Sequence, residues 1–482
     1  DKYFKGSSTL SVTMSNKPPL NIKSIVKGLL DYPYGCLEQT TSAAYPHLFI
    51  DEAAAKAVGL EPRSREQRAK FIEGAISRIA GMQAANGGYR LWSGDSGNYE
   101  VWLTPYVTAF LMDAREAGFN VPEDMNKRAS AWMLEKLNGA ANQFPSIPAG
   151  IKPKADGNYD WRDHEFLRNS HQRFAEFAHI GYMLAREQKA PLAALRMLHD
   201  QYRDRARSPL PLVHLAIALQ LMGDAKRSEQ ALNEAMGKAY GIQANYDWEW
   251  LGDYGSGLRD YALSYALLYK HQLNHAQREN LLQQVSAQLS RNRYYYSTQE
   301  RIALFLAARA AGLASSESWS AQLVSADGSQ AYSSKDNQTI SLNPALAAKG
   351  LTLENKGTAP LWVEIESSGF PLKLPASSDK ISLERRWFTT DGKPWKGGAL
   401  KVGDMLLVRV TAKAKQTIED GMIVDPVPAG LEVENQNLSQ GPQAQEFNIE
   451  GVNLAQAMTD SRIKHREFRD DRFVVAAKIE GS

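Results

Sequence analysis

With 482 residues, 56 Lys plus Arg against 54 Asp plus Glu and a formal net charge of +2, the chain is too long for one compact core and too evenly charged to suit a polyanion. About two to four domains are expected, with no nucleic-acid groove and no strongly acidic substrate. The single cysteine, Cys36, excludes an internal disulfide, so packing alone must hold the domains; this suits a cytosol and leaves a bacterial periplasm open.

The chain starts Asp1-Lys2-Tyr3-Phe4, with no initiator methionine, no apolar signal core and no run near about 18 apolar residues, and so reads as a piece of a larger protein. Ser8-Thr9-Leu10-Ser11-Val12-Thr13-Met14 has the look of a strand, and Pro18-Pro19 closes it off before helical text begins. Then comes Tyr32-Pro33-Tyr34-Gly35-Cys36-Leu37-Glu38-Gln39-Thr40-Thr41-Ser42, which sets Cys36 three residues ahead of Gln39. One helical turn apart, their Cβ atoms would lie about 5 to 6 Å from each other, so the sulfur could reach the amide carbon and expel ammonia to leave a thioester. Taken on spacing alone, Cys36 reads first as a small buried hydrophobe, as most lone cysteines are. At a helix start its thiolate would be favoured by the positive dipole end, which would make it a good leaving group. Tyr32, Tyr34 and Leu37 are candidates to shield such a bond from water, and the two tyrosines are equally candidates for turn-anchoring core aromatics. Glu38 has no assignable chemistry beyond offsetting the dipole.

From about Ile22 to Leu313 the text is helical, with apolar-periodic segments at Phe71 to Met82, Pro105 to Ala117, Arg173 to Glu187, Leu210 to Met222, Leu258 to Lys270 and Thr298 to Ala311. Loops such as Asn86-Gly87-Gly88-Tyr89 and Met222-Gly223-Asp224 join them as hairpins whose spacing drifts, favouring a closed double ring of helices over a regular solenoid. Thr298 is expected to cap its helix, and Asp260 to sit in a first turn. Beyond about Ser315 the period changes to alternation, at Trp319-Ala321-Leu323, Thr339 to Leu342, Leu351 to Leu353 and Leu361 to Ile365, so that with Ser8 to Met14 one sheet domain is expected, split by the helical insertion. A second strand-rich block holds Lys401 to Val410 and Met422 to Val433, where Pro426 and Pro428 argue for an edge or bulged strand.

The cysteine segment resembles the internal thioester motif of the alpha-2-macroglobulin and complement thioester family, in its bacterial branch. Gly35, Cys36, Glu38 and Gln39 match, while Leu37 stands where animal members carry an inner glycine, a residue free to take positive φ. Asn86-Gly87-Gly88-Tyr89, Trp102-Leu103-Thr104-Pro105-Tyr106, Leu258 to Leu263 and Tyr296-Ser297-Thr298-Gln299-Glu300-Arg301 follow in the order of that family's thioester domain. The resemblance implies a multidomain α + β chain: a helical alpha/alpha toroid at 20–314, inserted in a small CUB-like beta-sandwich formed by 1–19 and 315–370, then a macroglobulin-like beta-sandwich at 371–482, expected to be incomplete. It also implies a bait-triggered protease inhibitor, acting once, that joins lysine amines of target proteases covalently to Gln39. No cofactor and no metal are implied. A monomeric lipoprotein of the periplasm, used in bacterial defence and anchored to the inner membrane through its missing N-terminal part, is expected.

Some family members use a downstream histidine to assist transfer; His164, His171 and His179 fall in the right stretch without a matching motif. His164-Glu165 lacks a second histidine at zinc-protease spacing, and His271 and His275 read as two exposed helix histidines. Two other classes stay open: a structural or adhesion toroid with an inert Cys36, and an alpha/alpha toroid enzyme, which would need paired acids around a central cavity that the sequence does not display as a cluster.

Overall fold

The computed structural model describes residues 3–480 apart from 18–19, 21, 31–34, 58–59, 94–99, 145, 147–149, 152–160, 239–252, 274, 290–295, 315–317, 359–360, 374–377, 379 and 436–445. The chain divides into two units, Tyr3–Phe370 and Pro371–Ser482.

In the first unit, strand β1 (Thr9–Ser15) precedes helices α1 (Ile22–Leu30), α2 (Leu37–Phe49), α3 (Glu52–Ala57), α4 (Arg65–Ala80), α5 (Leu103–Glu116), α6 (Glu123–Asn138), α7 (Trp161–Arg186), α8 (Leu192–Met197), α9 (Pro209–Leu221), α10 (Ala225–Gly237), α11 (Gly257–Lys270), α12 (His275–Leu289) and α13 (Thr298–Ala314). Helices α2, α5, α7, α9, α11 and α13 pack in succession, and α13 returns to α2, closing a ring; α4, α6, α10, α12 and α1 back this ring from outside. The composition of the helices explains the two layers. α9 has buried residues on every side from Pro209 to Leu219, as an inner helix must, whereas α10 buries only Ser228, Ala231, Leu232 and Ala235. Charged residues crowd the first part of α7, Trp161 to Asn169, which hid a helix start well ahead of Arg173 from periodicity.

Because inner helices alternate with outer ones, the inner helices run parallel and their N-termini collect at one end. The α11 cap Ser256 donates to Glu300 of α13 at 2.7 Å, and Trp102 at the start of α5 lies 4.3 Å, ring to ring, from Tyr254 just before α11.

The text after the ring forms β2 (Trp319–Ser325), β3 (Gly328–Ser334), β4 (Gln338–Leu342), β5 (Thr352–Asn355) and β6 (Trp362–Ser368). β1 sits between β4 and β6, while β2 sits between β3 and β5. The two sheets enclose Val12, Met14, Trp319 and Ala321, with Tyr332, Ile340, Leu342, Leu353 and Leu361 packed around them. The helical ring is thus inserted in a small sandwich.

In the second unit β7 (Ile381–Thr389) pairs with β8 (Leu406–Ala414), and β9 (Ile418–Pro426) precedes a short hairpin, β10 (Asn448–Ile449) and β11 (Val452–Asn453). β12 (Ile463–Arg469) and β13 (Arg472–Ile479) complete a sheet ordered β12-β13-β9. β9 is an edge strand ending at Pro426, where the missing amide donor does no harm. Phe388, Leu407, Phe447 and Ile449 form a core here. Among the described residues no helix is long and apolar enough to cross a membrane.

Candidate functional site

Cys36 is the N-cap of α2 with extended backbone, φ −66° and ψ 165°. Its Sγ accepts the Gln39 N–H at 3.5 Å, and the Gln39 side-chain Oε1 accepts the Cys36 N–H at 3.4 Å. This is a capping box with sulfur in the place of the usual hydroxyl. The reciprocal bonds keep the sulfur and the carboxamide over one turn. Leu37, fully buried, is the first helical residue, so the turn needs no positive φ there; its N–H bonds Leu91 O at 2.9 Å. A Cβ on Gly35 would lie 1.8 Å from an Arg78 Nη, so a side chain there would displace the Arg78 guanidinium. The Asn86-Gly87-Gly88-Tyr89 turn, with Gly87 at φ 96°, leads into the segment that carries Leu91, and Thr104 Oγ1 accepts the Tyr89 N–H at 3.1 Å.

Glu38 is 4% exposed and its carboxylate is fully engaged. Ser42 Oγ donates to Oε1 at 2.7 Å, Gln299 Nε2 donates to Oε1 at 2.7 Å, and Thr298 Oγ1 lies 2.7 and 2.6 Å from the two oxygens. Ser42 Oγ also lies 2.6 Å from Tyr106 OH. Three motifs far apart in the chain therefore meet behind the Cys36 turn. Ser42, Tyr106, Thr298 and Gln299 are the residues that sequence reasoning missed; the signal was there in the Trp102-to-Tyr106 and Tyr296-to-Arg301 motifs, read only as scaffold. Thr298 is not the cap that was expected: Ser297 fills that role, its Oγ accepting the Glu300 N–H at 3.1 Å while Glu300 accepts the Ser297 N–H at 2.9 Å, which frees the Thr298 hydroxyl for Glu38.

The electrostatics correct a second expectation. Burial, reinforced by the Glu38 carboxylate, pushes the Cys36 thiol well above its ordinary range, outweighing the backbone N–H groups of Gln39 and Glu38 that favour the thiolate. In this closed arrangement the free cysteine is a thiol, because desolvation beats the helix dipole. Burial also raises the Glu38 carboxyl, against the hydrogen bonds from Gln299, Thr298 and Ser42.

Buried acids do gather at this end of the ring, though the sequence showed no cluster. Arg259 bonds Asp253 at 2.8 Å and Asp260 at 2.5 Å, so the two acids share one guanidinium. Burial lifts Glu176 to about 7, with Asp253 and Glu100 adding to the rise. Among the described residues no group of histidine, cysteine or acidic side chains is arranged to hold a metal ion.

Tyr32 and Tyr34 lie outside the described residues, as does the side chain of His164 on the first turn of α7. His171 is buried, accepts the Arg207 N–H at 2.9 Å and is lowered to about 4 by burial; the charges acting on it are Asp253, Arg259, Arg207 and Lys238. His179 is half-buried and stacked on His214 with ring centroids 4.3 Å apart. His271 is not an exposed helix histidine: it ends α11, and its Nε2 lies 2.9 Å from Tyr182 OH.

Comparisons with known proteins converge on one family. The A-macroglobulin TED domain matches residues 7–148, the A2MG CUB domain 317–381, and the Bacterial Alpha-2-macroglobulin MG10 domain 381–480. Alpha-2-macroglobulin of Xylella fastidiosa (strain Temecula1) is 36% identical over 98% of this chain and 28% of its own length. That of Escherichia coli K12 is 38% identical over 97% of this chain and 27% of its own, so the chain spans a little over a quarter of these relatives. Native E. coli alpha-2-macroglobulin from domain MG7 to the C-terminus superposes with a TM-score of 0.84 at 36% identity, covering all of this chain and 71% of that one. Salmonella alpha-2-macroglobulin reacted with methylamine gives 0.82 at 35%, over 100% and 29% of the two chains. E. coli alpha-2-macroglobulin activated by porcine elastase gives 0.54 at 37%, over 100% and 40%. A helical ring set into a CUB sandwich, followed by an MG10 domain, with the cysteine box at the start of the first inner helix, identifies the chain as a member of the bacterial alpha-2-macroglobulin family.

Proposed function

We propose that this chain is the thioester-bearing region of a protease trap, with the bond made between Cys36 Sγ and Gln39 Cδ. The observation that carries this reading is the buried cysteine capping box, in which each of the two side chains is held over the other's backbone. A protease cuts a bait segment elsewhere in the longer protein, the domains rearrange, and a lysine amine of the protease attacks Gln39 Cδ. The new C–N bond replaces the C–S bond, the amine's proton passes to the Cys36 sulfur, and the protease stays joined by an amide. The transfer happens once per molecule, so the protein acts as an inhibitor and does not turn over. High effective concentration of the captured protease makes the transfer efficient. The Salmonella relative reacted with methylamine supports an amine-sensitive centre. TM-scores of 0.84 and 0.54 against the native and elastase-activated E. coli proteins mean that those two states differ within the region this chain covers, which supports a rearrangement step. His171, buried, and His179, half-buried, are both held neutral by desolvation, which favours direct attack by amines over a histidine-assisted route. We place the protein in the periplasm as a monomeric lipoprotein tethered to the inner membrane, an expectation carried over from the family resemblance that protease accessibility in spheroplasts tests.

The deciding experiment is the intact mass of freshly prepared protein with thiol titration, before and after methylamine. A mass one ammonia below the sequence value, with a thiol appearing only after treatment, is expected. The full sequence mass with a thiol titratable from the start would leave an inert structural module.

A further inference from the structure

The helical ring closes where α13 meets α2, and at the site end the described contacts that join the two helices through Glu38 come from Thr298 and Gln299. Both are buried, at 8% and 3% exposure, so neither bond is shared with bulk water. The hydroxyl of Thr298 reaches both carboxylate oxygens and the amide of Gln299 reaches one. Ser42 spends its single proton on Glu38, so Tyr106 must be the donor in the Tyr106–Ser42 bond, and the whole set points its protons at the carboxylate. Because Glu38 lies between Cys36 and Gln39 in sequence, whatever fixes its side chain also fixes the first turn of α2.

We propose that Thr298 and Gln299 are positioning residues for the thioester: by holding Glu38 they keep the first turn of α2 in the form in which the Cys36 sulfur faces the Gln39 carboxamide. This rests on the proposed Cys36–Gln39 bond. In the step they assist, the sulfur bonds to Gln39 Cδ, the C–N bond breaks, and the thiol hydrogen leaves with the nitrogen as ammonia. Deprived of its donors, Glu38 is a buried, unsatisfied carboxylate that must swing out or take up a proton, and either change releases the turn.

The test uses the chain as it stands with three substitutions: Thr298→Val, which keeps the shape without the hydroxyl; Thr298→Ser, which keeps the hydroxyl; and Gln299→Met. Intact mass and thiol titration give the ratio of thioester to free thiol, and circular dichroism melts verify folding. Thr298→Val and Gln299→Met are expected to lower that ratio about tenfold, the size of one lost hydrogen bond to a charged group, while Thr298→Ser stays with the parent. Parent-like ratios in both Thr298→Val and Gln299→Met overturn the proposal, as does a Thr298→Ser protein that loses the bond as fully as Thr298→Val. Should Thr298→Val fail to fold, Gln299→Met decides alone. A parent protein with a free thiol overturns the thioester reading itself and this proposal with it.

Discussion

Helices α2 and α4 begin in nearly the same way and end up with different chemistry. α4 starts Ser64-Arg65-Glu66-Gln67 and α2 starts Cys36-Leu37-Glu38-Gln39. Both caps are extended, at φ −63° and ψ 163° for Ser64 against −66° and 165° for Cys36, and both close a full capping box with the glutamine. In α4 the Glu66 carboxylate is exposed, accepts the Ser64 hydroxyl at 2.7 Å and is held below its ordinary pKa mainly by that bond. In α2 the corresponding Glu38 turns inward and is gripped by α13. The comparison teaches that the proposed thioester turn is a common helix start with two changes: sulfur for oxygen at the cap, and burial of the cap with the Leu37 and Glu38 that follow it.

The sharpest way to break this equivalence is Cys36→Ser, which gives α2 the cap of α4. Methylamine incorporation should vanish completely while the melting curve stays where it was, because serine is a good cap; a large drop in melting temperature would show that the two boxes are not interchangeable. Next comes the contrast of Glu38→Gln with Glu66→Gln. The folded Glu38 carboxyl lies above its ordinary 4.5, so the native state keeps a proton that the unfolded chain has lost, and stability declines as pH rises through that window. Glu66 lies below 4.5, so its contribution is present above that value and is lost as pH falls. Denaturation midpoints over about pH 3 to 8 should show Glu38→Gln flattening the decline toward neutral pH and Glu66→Gln the decline toward acid; slopes of the same sign would sink the argument. Ser64→Ala should cost about 1 kcal/mol in chemical denaturation through loss of the cap alone. The smallest effect belongs to Ser64→Cys, which writes Cys-x-Glu-Gln into an exposed turn: its added thiol should label at once, with no ammonia deficit beyond the parent's. An extra deficit would mean that the box suffices without burial.

What could be read from the sequence was whatever lies within one turn or one strand. Cys36 and Gln39 were legible at spacing three, and the alternation at Trp319, Ala321 and Leu323 gave β2 directly. The partners of Glu38 were not legible, since Thr298 and Gln299 stand 260 and 261 positions away and no local pattern announces such a contact. Thr298 was misjudged as a cap for a related reason: Ser297 and Thr298 both carry a hydroxyl, and only the Ser297–Glu300 pairing tells them apart. The insertion of the ring into a sheet domain was legible from strand text on both sides of the helices, in agreement with the family resemblance, but the pairing of β1 with β4 and β6 across more than 300 positions was not. Burial, which sets the state of Cys36, has no spacing signature at all.

The closure of α13 on α2 also sets a timetable. Contacts 260 positions apart carry a far higher loop-closure cost than those within a helical hairpin, so they are expected to form after the hairpins between them have assembled. The environment of Cys36 is therefore finished only when the last inner helix docks. With the thioester proposed above, a newly made chain would carry a free thiol through the stages in which a reactive acyl group would be most dangerous to itself, and the reactive centre would mature only on a completed ring.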